Sequence, residues 1–427
     1  MLRIKPFPAW RPAPGNEHSV AAVPYDVVNR DEARALAKDN PDSFLHVSRA
    51  DLDLPDSVDP YNDHVYDAAR AAFDRLRNSN TLIQEDHPAV YLYRQSTTLL
   101  GREVSQVGLV CCCHIDDYNR DVIKKHEKTR QVKEDDRTRH VLAINANAGP
   151  VFLMHKDDPA IAAATASDLS TDPLYNFTAP DNVRHTIWRC ADHTPYAAAF
   201  ADHPAVYVAD GHHRSASAAR AGAQLAAKNP NHTGNEQYNW FQCVLFPRSA
   251  LTILPYNRII KDLNNLSPDD LLARIAAVAH VTPTPDPEPR QPFGFGLYLP
   301  GATDTPSANN WYAIELPEAS IDTADPIASL DYQLLTDRIL APILGIGDVR
   351  TDNRIDFVGG IRGTQELVNL VDTGRAACAF AMRACTPDQI VAVADANQIM
   401  PPKSTWFEPK LRSGLLVHEL SSSGIES

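Results

Sequence analysis

No stretch of this sequence is long and apolar enough to span a bilayer, and nothing near its start has the form of an export signal. Arg3 and Lys5 are followed by Pro6, Phe7 and Pro8, where a secretory segment needs an unbroken apolar run. Cysteine is sparse: seven residues, an odd count, three of them consecutive at Cys111 to Cys113, with no CxxC spacing. A disulfide framework and a structural zinc site are therefore not expected, and a reducing, cytoplasmic setting is. Positive charge is in deficit, with a formal net charge of −14 that opposes general affinity for nucleic acid. Several catalytic signatures are also missing. There is no GxxxxGK[ST] loop and no assembled kinase signature, and Gly294-Phe295-Gly296 alone carries no weight. His126-Glu127 does not open a zinc-protease helix, because one turn after His126 stands Arg130 rather than a second histidine.

What is present is an ordinary globular composition, 44% hydrophobic and 22% charged, in 427 residues, enough for two or three packed units. Ala-rich segments at 31–38 and 64–76 have helical spacing, with Val65, Ala69, Ala72, Phe73 and Leu76 recurring on one face. Residues 89–94 and 107–115 read as strands around a turn containing Gly101, and the three cysteines serve as small hydrophobes in the second. Strands at 150–154, 183–189, 205–209 and 240–246 alternate with helices at 160–169 and 215–227, an order that predicts an α/β (α+β) fold with a mixed sheet. The proline-rich run from Val281 to Pro292 reads as a linker or long surface connection. Beyond it, 295–299 and 311–316 read as paired strands and 331–344 as a helix ending near Gly345. The expected organisation is a helical and extended segment over 1–88, a core over 89–280 and a C-terminal α/β part over 293–427.

Two clusters carry chemistry. In Val206-Tyr207-Val208-Ala209-Asp210-Gly211-His212-His213-Arg214 an apolar strand meets a glycine and then a helix-favouring run. Gly211 can take a positive φ and admit a ligand to the backbone, and the amides opening the next helix favour an anion. Arg214 offers a planar donor fork to phosphate oxygens, while Asp210 can hold a divalent metal or orient a hydroxyl. The competing reading is a capped helix with solvent-facing histidines. The second cluster is a basic stretch between Arg120 and His140 in an otherwise acidic chain. If helical, it aligns His126, Arg130, Lys133, Arg137 and His140 on one cationic face. The alternative is a solvated surface helix, but Lys124 to Gln131 contains no apolar residue to anchor it. Tyr25, Asp26, Lys403 and Ser404 are expected at the rim.

Together, Pro24-Tyr25-Asp26-Val27-Val28, His126-Glu127-Lys128-Thr129, the Lys133-to-Arg137 run, Gly149-Pro150-Val151-Phe152, Ala209-to-Arg214 and Met400-to-Thr405 resemble domain-of-unknown-function family 1015. That family is similar to the ParB and sulfiredoxin superfamily, which includes free serine kinases. The resemblance implies a ParB/sulfiredoxin-like core with added N- and C-terminal elements. It further implies a phosphotransferase acting on a small-molecule hydroxyl, free L-serine first, with ATP, ADP or pyrophosphate as donor and Mg2+ as cofactor. Gly211, His212, His213 and Arg214, with Lys128, Thr129, Arg130 and Arg137, would hold the phosphates. Glu127 would take the acceptor's proton, with Asp210 and His126 beside it and Asp210 as the metal ligand. Sulfinic-acid repair is not expected, since His212 stands where sulfiredoxins need cysteine. A small-molecule substrate is expected, nucleic acid and membrane partners are not, and a homo-oligomer stays open. The alternatives are a non-catalytic nucleotide or phosphometabolite sensor and a metal-dependent phosphohydrolase or nuclease.

Overall fold

A computed structural model describes residues 1–300 and 310–421. The chain divides into two compact units, one formed by residues 1–98, 102–251 and the segment from Pro409 onward, the other by 99–101 and 252–408. Residues 1–88 thus share a unit with the strands that follow them, and the proline-rich run falls inside the second unit.

The first unit is built on a nine-stranded sheet. Its strands are β1 (Ile4–Lys5), β2 (Tyr91–Leu99), β3 (Arg102–His114), β4 (Ile123–Lys124), β5 (Val151–His155), β6 (Tyr175–Thr178), β7 (Arg184–Arg189), β8 (Val206–Asp210) and β9 (Trp240–Pro247). They lie in the order β4-β8-β5-β9-β3-β2-β7-β6, with β1 added on β3. The β4–β8 and β5–β9 pairs are parallel and the others antiparallel, so the sheet is mixed, as the alternating sequence pattern anticipates. Central strands are apolar on both faces: Leu109, Val110, Cys111, Cys112 and Cys113 of β3 and Phe241, Cys243, Val244 and Leu245 of β9 are all buried. The cysteines are free thiols, and burial pushes those of Cys111, Cys113 and Cys243 up, which keeps them protonated.

Helices α1 (Arg30–Ala37), α2 (Asp63–Asn78), α3 (Gln131–Ile144), α4 (Pro159–Asp168) and α5 (His212–Lys228) belong to this unit. The N-termini of α1, α2 and α4 are capped by Asn29, Asn62 and Asp158, whose side chains accept from first-turn amides. Helix α2 buries Val65, Ala69, Ala72, Phe73 and Leu76, the stripe its spacing predicts. Helix α5 lies close to the turn at 237–239, and Gly222 makes this possible, because a Cβ there would stand 2.3 Å from the Tyr238 carbonyl oxygen.

The second unit has a six-stranded antiparallel sheet of β10 (Tyr256–Ile260), β11 (His280–Pro283), β12 (Gly294–Tyr298), β13 (Trp311–Glu315), β14 (Ile355–Gly359) and β15 (Cys378–Ala381), ordered β11-β13-β12-β15-β10-β14. The start of the proline-rich run therefore joins the sheet rather than acting wholly as a linker. It does so on the edge strand, where a missing backbone donor is tolerated. The helix expected over 331–344 is α-helical over Asp331–Leu335 and π-helical over Thr336–Leu340, with Gly345 at φ +69° beyond it.

Two outcomes follow for the first unit. Gly222→Ala should lower stability by on the order of 1–3 kcal/mol despite alanine's better helix propensity, because the methyl group meets backbone rather than a yielding side chain; urea unfolding measures it. Burial also holds His140 and His155 near a pKa of about 4 and His185 and His418 near about 3. Their unfolded value is about 6.5, so below that pH the unfolded state binds more protons. Stability present above pH 6.5 should be lost as pH falls toward 4, and an unchanged urea midpoint at pH 4.5 would contradict buried neutral rings.

Candidate active site

Strand β8 carries four buried residues, Val206 to Ala209, and ends at Asp210. Gly211 then takes φ +98°, and a Cβ at this position would lie 3.1 Å from Arg214 Nε. The backbone conformation favours glycine, and the guanidinium folded against it leaves a Cβ little room. Helix α5 begins at once and runs for 17 residues, and its N-cap, Gly211, has no side chain with which to cap the first amides. The amides and helix dipole are therefore directed at the space beyond the turn.

Asp210 Oδ2 accepts from Lys410 Nζ at 3.2 Å and lies 3.5 Å from a terminal nitrogen of Arg214. Burial alone would raise this carboxyl's pKa, but Lys410 and Arg214 outweigh it and hold the group ionised well below the usual carboxylate range. Arg214 also donates to the Pro150 carbonyl and stands 4.0 Å from Asp26, while its Nε has no partner among the described residues.

The segment 126–130 is not helical, because α3 starts only at Gln131. The single cationic face of five residues is therefore not formed. Instead β4 pairs in parallel with β8, Ile123 opposite Val206 and Lys124 opposite Tyr207, and both strands release their chains at the same sheet end. His126 and His212 consequently meet edge to face, with ring centroids 4.6 Å apart and planes at 86°. Glu127 Oε2 lies 3.7 Å from His212 Nδ1, and the Arg130 amide donates to His213 Nε2 at 3.0 Å. Thr129 turns away to donate to Glu134, and the side chains of Lys128 and Arg130 are exposed.

Burial lowers the His126 pKa to about 4, and burial together with the His126 ring drives His212 well below its ordinary value. Both rings are neutral at pH 7. Among the described residues neither ring nitrogen of His126 has a well-formed hydrogen bond, and His212 Nε2 has no partner.

Arg214 also lines a cavity of about 40 Å³, several times the space one water needs. Across it stands Arg137 from α3, its guanidinium 4.2 Å from the Tyr25 ring centroid, with Nε on Asp136 at 2.8 Å. Val151, Ala218 and Phe241 supply apolar wall. Ser48 and Gln242 also line it, and Ser48 Oγ and Gln242 Oε1 are buried without a partner among the described residues. Buried polar atoms of this kind are rare in finished structure and mark a place where a ligand or water supplies the missing bond.

The structure thus gathers Tyr25, Asp26, His126, Glu127, Arg130, Asp210, Gly211, His212, His213 and Arg214 around one turn, with Arg137 across the adjoining cavity. Lys403 and Ser404 belong to the second unit. There the Lys403 carbonyl accepts from buried Arg258 at 2.8 Å, and Ser404 Oγ donates to the Pro401 carbonyl at 2.8 Å. Lys410, Ser48 and Gln242 were missed. Lys410 is one lysine in a proline-flanked tail, and the other two come from segments with no local motif.

Asp210 does not fit a metal. Its charge is met by Lys410 and Arg214, and among the described residues the one group of three His, Cys, Asp or Glu with ligand atoms close enough to share an ion is Cys111, Cys113 and Cys243.

The chain matches the family described as Protein of unknown function (DUF1015) over residues 4–333. No curated protein matches it. Among solved structures, it is similar to a free serine kinase in complex with AMP, at 12% identity and TM-score 0.37, covering 73% of this chain and 91% of that one. A C-terminally truncated SbnI from Staphylococcus aureus gives 11% identity and TM-score 0.37, covering 74% and 90%. A conserved hypothetical protein from Pyrococcus furiosus gives 12% and 0.34, covering 72% and 94%. With the family's pattern matched across most of its length, the chain belongs to the DUF1015 family.

Proposed function

We propose that the first unit is a phosphotransferase that moves a phosphoryl group from a nucleotide or pyrophosphate to the hydroxyl of a small molecule. The observation that carries this reading is the placement of Glu127 beside His212, at the mouth of an uncapped glycine turn flanked by Arg214. Phosphoryl transfer asks for positioning, charge neutralisation and one carboxylate near the nucleophile. The amides opening α5 and the Arg214 guanidinium receive the donor phosphates. Glu127 accepts the acceptor's hydroxyl proton as the new O–P bond forms and the donor's P–O bond breaks, leaving the departing phosphate on the cations.

His212 stands beside Glu127, its Nδ1 3.7 Å from the carboxylate, and His126 packs against His212. Because both rings are neutral, neither adds a charge that would draw Glu127 from the acceptor. Asp210 fixes Arg214, and no step is assigned to a metal on it. The cavity between Arg137 and Arg214, with its two guanidinium groups, suits a compact anion-bearing acceptor. Free L-serine, the acceptor implied by the family resemblance, is the first compound to test. The hydrolase alternative needs Asp210 and the histidines to converge on one ion, and among the described residues they do not.

Purified protein incubated with L-serine, Mg2+ and ATP, ADP or pyrophosphate should yield phosphoserine with at least one donor. Glu127→Gln should lower kcat by about a hundredfold or more with donor binding nearly unchanged. Arg214→Ala should weaken donor binding by about tenfold or more. Binding of a donor with no product from serine or other small hydroxy acids would replace the enzyme reading with a sensor, and no binding at all would remove the site.

A further inference from the structure

Arg214 is already heavily engaged, since its guanidinium serves Asp210, Asp26 and the Pro150 carbonyl together. A transferring phosphoryl group carries more charge than one shared guanidinium neutralises, so the turn calls for a second cation. The same oxygen of Asp210 that lies 3.5 Å from Arg214 accepts from Lys410 Nζ at 3.2 Å. One carboxylate oxygen thus sets two cations from distant segments side by side, next to the uncapped amides of α5.

The position of Lys410 is fixed independently of that ion pair. Gln95 Nε2 donates to the Lys410 carbonyl at 2.8 Å and Gln106 Nε2 to the Pro409 carbonyl at 3.1 Å. Leu411 and Arg412 are buried immediately after it, and Ser413 exchanges backbone hydrogen bonds with Ala22. The strap from Pro409 to Ser413 is therefore anchored on both sides of Lys410, whose side chain is 18% exposed. A change at Nζ should leave the fold intact.

We propose that Lys410, supplied by this C-terminal strap and positioned by Asp210, is a second phosphate-binding cation of the site. It lies outside the stretch matched by the family, residues 4–333. The proposal rests on the phosphotransferase reading for the identity of the ligand. It assigns Asp210 a positioning role, holding two cations where phosphate oxygens arrive. An ammonium adds a compact point charge beside the planar fork of Arg214, so the pair can contact different oxygens of one phosphate chain.

Calorimetric titration of the full chain with pyrophosphate and with ADP tests it. Lys410→Met should weaken pyrophosphate binding by about tenfold, and Lys410→Arg should stay within about threefold of the wild type. If Lys410 merely neutralises Asp210, then Asp210→Asn combined with Lys410→Met removes the stray charge and restores wild-type affinity; such restoration would overturn the proposal. Wild-type affinity in a folded Lys410→Met protein would overturn it too, while leaving phosphate binding at the turn intact. A wild-type protein that binds neither probe would instead sink the phosphotransferase reading itself.

Discussion

Two residue pairs of a parallel ladder, Ile123 with Val206 and Lys124 with Tyr207, decide where the chemistry of this chain is placed. Parallel neighbours end at the same edge of a sheet, so whatever follows β4 must lie beside whatever follows β8. That constraint alone brings His126 onto His212 and the Arg130 amide onto His213 across more than eighty residues. It also explains how a polar segment without apolar residues stays ordered, since His126 is buried against the neighbouring turn. The short strand supplies the anchoring that side-chain hydrophobicity does not.

The second constraint is electrostatic. Burying two imidazoles in contact disfavours a proton on either, because each would pay desolvation and repel the other. The pair is therefore a neutral spacer between the carboxylate of Glu127 and the ion pairs of the turn. Charged rings would pull Glu127 into an ion pair with His212, which neutral rings do not.

Much of this was legible in the chain, for identifiable reasons. The strand, glycine and helix around Gly211 announce themselves because apolar run, positive-φ residue and alanine-rich helix are contiguous, and the stripe on α2 because its spacing is regular. The 126–140 stretch misled because charges at intervals of three and four mimic a helical face, while the pairing that ends β4 is a long-range contact with no local signature. Lys410 was hidden for a similar reason: its meaning lies in the Gln95 and Gln106 amides that pin its backbone. Residues lining the cavity, such as Ser48 and Gln242, become distinctive only when their unpartnered atoms are seen facing one space.

An aspartate at a turn proposed to bind anions looks self-defeating, yet its charge balance explains it. Arg214 and Lys410 bring two positive charges, and Asp210 with Asp26 brings two negative ones, so these four groups together are close to neutral. Neutrality lets two cations sit partly buried before any ligand arrives, which an unpaired pair could not do without a large desolvation cost. Asp26 is the looser member, more exposed and 4.0 Å from Arg214, whereas Asp210 is half-buried, 3.5 Å from Arg214 and bonded to Lys410. In the proposed reaction an incoming phosphate would take the place of Asp26 on Arg214 while Asp210 keeps both cations aimed. Selectivity in that reading would come from geometry rather than bulk charge, on a protein whose net charge is −14.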